Sequence, residues 1–152
     1  MGYAVFVPIR RGHNGNPGPF WEALVLAGGR QADFRAGISF AGPSITWPDA
    51  PALQDVLIES MRRTEIPLCL IQAWDDVHLT PTYVLGGELA ALEQQHETRV
   101  YQPLGTERGN GHGVFNKGVE LWSADVRRFP SALGVGRRCT LRAVITESGV
   151  DV

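Results

Sequence analysis

The stretch from Asp49 to Trp74 restricts the fold of this chain more than any other. Asp49 stands where a helix cap belongs, Pro51 suits a first turn, and Leu53, Val56, Leu57 and Met61 recur on one face. Arg62 and Arg63 fall where the helix dipole favours cations, and Pro67 ends the periodic run. The pattern predicts an amphipathic helix over residues 50 to 64. Leu68 to Trp74 follows at once and is apolar at nearly every position, as a strand in the middle of a sheet must be. A helix with one greasy face beside a central strand implies that the two pack together.

Other segments carry the period-two alternation of half-buried strands. Phe34, Ala36, Ile38 and Phe40 alternate with Arg35, Gly37 and Ser39. After Trp74, Asp75 and Asp76 read as a hairpin turn into a second strand in which Val77, Leu79, Tyr83 and Leu85 alternate with His78, Thr80, Thr82 and Val84, with Pro81 placing it at an edge. Tyr3 to Ile9, Trp21 to Ala27, Thr98 to Tyr101, Val119 to Ala124 and Cys139 to Thr146 add further strands, and the segment after Gly86 and Gly87 reads as a short helix. With 152 residues, no internal repeat and no dividing linker, the expected fold is a single α+β domain over residues 1–152. It is β-rich, with six to eight mostly antiparallel strands and one or two packed helices.

Thirteen of the fourteen basic residues are Arg, Lys117 being the sole Lys, and eight of the arginines form the doublets Arg10-Arg11, Arg62-Arg63, Arg127-Arg128 and Arg137-Arg138. A guanidinium is a planar, permanently charged fork suited to interfaces and ion-pair networks. Sixteen carboxylates bring the net charge to -2, so a non-specific grip on nucleic acid is not expected. The start of the chain lacks the pattern of a signal peptide, and no apolar run has membrane-spanning length, so a cytoplasmic protein without a membrane span is expected. Cys69 and Cys139 both lie in apolar runs and read as small buried hydrophobes.

Two segments look irregular: Gly12 to Pro19, and Gly105 to Gly118 with its five glycines. Both contain His and Asn. Arg10-Arg11-Gly12-His13 resembles the Asp-Arg-Gly-His signature of the ββα-metal non-specific nucleases, with Arg10 in place of the Asp, and there the resemblance implies a general base at His13. His112 with Asn116 is a second fragment of that kind, without the paired His. Asp75, Asp76 and His78 form a tight acid-imidazole cluster in which a strand would turn Asp76 and His78 to the same face, toward a metal if further ligands arrived, or simply make a charged turn. No dinucleotide or P-loop fingerprint fits, and no Ser sits in a Gly-x-Ser-x-Gly elbow.

With no catalytic set in view and no cofactor or metal site implied, the expected role is a structural or assembly subunit of a larger complex, such as a phage tail or baseplate, synthesised in the cytoplasm and incorporated into a virion. Its partners would be other protein subunits, itself among them. The side chains expected at the interface are Trp47, Phe115, Arg127, Arg128, Arg137 and Arg138. The alternative is a metal-dependent, nuclease-like enzyme using His13 or His112.

Overall fold

The computed structural model describes residues 3–5, 34–132 and 141–143. Strands β1 (Tyr3–Val5), β2 (Gly37–Phe40), β3 (Leu68–Ala73), β4 (His96–Tyr101) and β5 (Leu141–Ala143) are joined by helices α1 (Pro51–Arg63), α2 (Thr80–Ala91), α3 (Val114–Lys117) and α4 (Val119–Ala132). β3 is the centre of a three-stranded sheet in the order β2-β3-β4, with both pairings parallel and with Gly37, Leu68 and His96 in register. β1 and β5 form a separate parallel pair.

This overturns the expected six to eight mostly antiparallel strands with one or two helices: every described pairing is parallel, and four α-helices are described. A parallel pair cannot be closed by a two-residue turn, because the chain must travel back before the next strand begins. α1 makes that return between β2 and β3, and α2 makes it between β3 and β4. The hairpin expected at Asp75-Asp76 is therefore a strand-to-helix turn. Pro81, read as an edge-strand marker, sits in the first turn of α2, where a missing N–H costs nothing. Pro81, Leu85 and Leu89 are buried at four-residue spacing, which is helical, while Tyr83 faces outward.

The expected strand at Val119 to Ala124 is likewise the first part of α4. Its inward stripe is Trp122, Val126 and Phe129, spaced by four and three. The expected strands at Phe34 to Phe40, Thr98 to Tyr101, Tyr3 to Ile9 and Cys139 to Thr146 contain or overlap β2, β4, β1 and β5. The expected strand at Trp21 to Ala27 lies outside the described residues.

β3 explains the layering. All six of its residues are buried, and alternate side chains must point to opposite faces. Leu68 and Leu70 pack with Leu57 and Met61 of α1, Leu85 and Leu89 of α2, and Trp47. Cys69, Ile71 and Ala73 pack on the other face with Val114 and Phe129, flanked by Trp122 and Val126. Helices therefore cover both faces of the central strand.

α1 runs where expected, with two differences. Asp49 does not cap it; Asp49 closes a short 3₁₀ helix, Trp47–Asp49, and the Gln54 Nε2 instead donates to the Trp47 carbonyl at 2.6 Å. Val56, expected in the apolar stripe, is 41% exposed, while Leu57 and Met61 are fully buried. In α2, Gly86 meets β4 so closely that a Cβ there would lie 2.7 Å from the Thr98 Oγ1. That close approach accounts for a glycine in the middle of a helix despite its entropic cost. No helix among the described residues is long and apolar enough to cross a membrane.

Candidate functional site

Because β2, β3 and β4 run in one direction, the loops leaving their C-terminal ends all emerge at the same edge of the sheet, the usual place for ligands in open parallel sheets. Three such loops meet there. The first, after β2, carries Ser44; the second, after β3, carries Asp75, Asp76 and His78; the third, after β4, runs from Gln102 to Gly113 and carries Arg108 and His112.

Asp76 is the hub. Its side chain is fully buried, yet it accepts hydrogen bonds from the Ser44 Oγ at 2.7 Å, the Gln72 Nε2 at 2.8 Å and its neighbour Val77 N–H at 2.6 Å. The His112 Nδ1 lies 3.2 Å from its Oδ1. Burial alone would raise the carboxyl pKa, but the bonds from His112, Gln72, Ser44 and Val77 outweigh it and hold the group below its ordinary value of 3.8. Asp76 is thus an anion at neutral pH and can only accept, so His112 must carry its proton on Nδ1. The remaining ring nitrogen, Nε2, is then the basic one, on a side chain 19% exposed.

Secondary ties fix the same loops. Ser44 Oγ also accepts from the His78 N–H at 3.0 Å, and the Gln72 Nε2 donates to the His78 carbonyl at 2.8 Å. The Asp75 carboxylate accepts the Leu104 and Gly105 amides at 3.0 and 2.9 Å, binding the second loop to the third. Two glycines let the third loop close down. Gly109 has φ +95°, a left-handed value that disfavours any side chain. A Cβ on Gly111 would lie 2.6 Å from both the Asp75 Oδ1 and the Asp76 backbone nitrogen. Its bareness brings the next residue, His112, against Asp76.

The segment Gly105 to Gly118, expected to be irregular, contains the 3₁₀ helix Asn110–Gly113 and α3. Val114 is fully buried, and Phe115 joins a ring cluster with Phe40 and Trp122, at centroid distances of 5.3 and 6.1 Å. These two residues anchor the loop in the fold.

The sequence cluster of Asp75, Asp76 and His78 does not converge as a strand face would require. Asp75 accepts the Leu104 and Gly105 amides while Asp76 accepts from Ser44, and the imidazole that reaches Asp76 is His112, thirty-six positions away. Among the described residues no three His, Cys, Asp or Glu side chains are grouped to hold a metal ion. Of the expected interface residues, Trp47 is buried in the core and Phe115 is packed in the ring cluster. Arg128 is exposed and paired with Glu97 and Asp125, at 3.0 and 3.1 Å, and Arg127 is exposed. His13, Arg137 and Arg138 lie outside the described residues.

Two polar residues of the hub, Ser44 and Gln72, carried no signal in the sequence: Ser44 meets Asp76 and His78 only across two loops, and Gln72 is a lone buried polar side chain in an apolar strand whose partners lie in the turn just after it. Neither Ser44 nor Cys69 offers a nucleophile. The Ser44 hydroxyl is buried and committed to Asp76, and burial among apolar neighbours pushes the Cys69 thiol up to about 12. No protein-family model matches the sequence, and no curated protein matches it.

Proposed function

We propose that the chain carries the acid–base pair of a hydrolase, with His112 as the general base and Asp76 as the residue that positions it. The observation behind this reading is the buried, ionised Asp76 bonded to Nδ1 of a partly exposed histidine, at the edge where the parallel strands end. That is the arrangement by which a carboxylate fixes an imidazole tautomer and stabilises the imidazolium that forms when Nε2 takes a proton. The order of the two along the chain, Asp before His, is also the order of these roles in α/β-hydrolases. In the reaction, Nε2 removes a proton from water, or from a hydroxyl nucleophile placed beside it, as the oxygen attacks an acyl carbon; the same proton then passes to the departing alkoxide.

Hydrolysis of a p-nitrophenyl ester by the purified protein tests the proposal. A positioned base contributes about 100- to 10,000-fold, so His112→Ala and Asp76→Asn should each lower the rate by about 100-fold or more. A rate unchanged in both variants would remove the reading. The same two variants assayed on plasmid DNA with Mg²⁺ test the nuclease alternative, which also relies on His112.

A structural or assembly role is the second reading. Ile45, Val56, Leu92 and Val119 favour it, since these large apolar side chains are exposed on the loop after β2, on α1, just past the end of α2 and on α4. A light-scattering mass of one chain across a wide concentration range would count against self-assembly.

A further inference from the structure

Beyond the Asp76–His112 pair, the same edge of the sheet holds an open cleft of about 630 Å³, between the loop after β3, the start of α2 and the loop after β4. That volume is within the range of small-molecule sites. We infer that this cleft binds a flat, conjugated or aromatic carboxylate, with Arg108 holding the carboxylate and Trp74 and Tyr83 stacking on the planar part.

Two large rings are displayed where apolar surface is normally withdrawn. Trp74 is 62% exposed and Tyr83 53% exposed, and both line the cleft. Their backbones are nonetheless fixed: the Trp74 N–H donates to the Tyr101 carbonyl at 2.9 Å, and Tyr83 lies in the first turn of α2. Aromatic side chains carried on a fixed backbone, each with only two side-chain torsions to order, give a flat ligand contact area.

Arg108 supplies the charge. Its Nε donates to the Val77 carbonyl at 2.7 Å, and its Nη2 stands 3.4 Å from the His78 Nδ1. Neither partner is a carboxylate, so these contacts aim the guanidinium without cancelling its charge. Arg62, Arg63, Arg99 and Arg128 each have a carboxylate within 3.0 Å, whereas among the described residues Arg108 forms no ion pair. No carboxylate of the acidic wall touches it: Asp75 accepts the Leu104 and Gly105 amides, Asp76 is buried in its own network, and Glu107 is exposed and does not pair with it. A guanidinium held from one side presents two parallel N–H groups to a carboxylate. The single guanidinium matches one carboxylate; a phosphate dianion would bring a second negative charge against the Asp75, Asp76 and Glu107 carboxylates that also line the cleft and would be repelled more strongly.

The binding does not depend on hydrolysis and is measured with compounds that cannot be hydrolysed. Calorimetric titrations of the purified protein with cinnamate, cinnamamide and phenyl phosphate should show saturable cinnamate binding and at least about ten-fold weaker binding of the isosteric amide, the size of one charge-assisted pair. Arg108→Gln should abolish that preference, and Trp74→Ala should weaken both ligands. Unchanged urea midpoints would establish that these exposed-site variants fold. No saturable heat with cinnamate, a preference that survives Arg108→Gln, or tighter binding of phenyl phosphate would each overturn the inference.

Discussion

Replacing Asp76 with Asn changes little in shape and much in hydrogen bonding. The Asn Oδ1 can still accept from Ser44, Val77 and His112, but these bonds lose their ionic character, each weakening by about 1 kcal/mol. On the other side the new NH₂ faces the Gln72 Nε2, which donates to Asp76 at 2.8 Å, so an acceptor becomes a second donor. Adding a buried donor clash of about 1–3 kcal/mol, and allowing for relief from burying a charge, the expected destabilisation is about 2–4 kcal/mol. The effect should depend on pH with a definite sign. The folded carboxyl titrates below its ordinary value of 3.8, so its stabilisation is complete above the unfolded pKa and lost as the pH falls through the folded one. Urea melts of the wild type and Asp76→Asn should therefore differ by the full amount at neutral pH and converge in acid. A difference under about 0.5 kcal/mol at neutral pH, or a gap that widens in acid, would refute this reasoning.

Further outcomes follow from the packing. Leu57→Ala, at a fully buried position, should cost about 2–5 kcal/mol, whereas Val56→Ala, next to it but exposed, should change the urea midpoint by less than about 0.5 kcal/mol. Gly111→Ala should destabilise by about 1–3 kcal/mol, because the added Cβ cannot fit 2.6 Å from the Asp75–Asp76 turn, and it should also lower ester hydrolysis by pushing His112 away from Asp76. In a Cys139→Ser background, Cys69 should resist a maleimide in the folded protein and react only on unfolding, since its thiol is buried and pushed up to about 12; rapid labelling under native conditions would contradict its burial.

The sequence discloses the parts of this fold that depend on local rules. α1 is legible because a proline, an apolar spacing and a basic last turn agree, and β3 because it is apolar on both faces. Strand direction is not legible, since Asp75-Asp76 is as good a hairpin turn as it is a strand-to-helix turn. In the residues after it, Leu85 fits both the period-two run from Val77 and the four-residue helical spacing through Leu89. A short window over Val119 to Ala124 hides the helical stripe, which declares itself only when Val126 and Phe129 are included. In the candidate site, Asp76 and His112 each stood out in the sequence but beside different partners. Their meeting depends on two loops at the ends of parallel strands, and on the bare Cα of Gly111, which no local spacing encodes.

The most direct measurement is the tautomer of His112, read from the ¹⁵N resonances of its ring at about pH 8, where an ordinary imidazole is neutral. If Asp76 positions the ring as a base, the proton resides on Nδ1, its resonance is shifted downfield by the ionic hydrogen bond, and Nε2 appears as the unprotonated nitrogen. Asp76→Asn should abolish the downfield shift. A proton on Nε2, or a spectrum that Asp76→Asn leaves unaltered, would contradict the assignment of His112 as the positioned base.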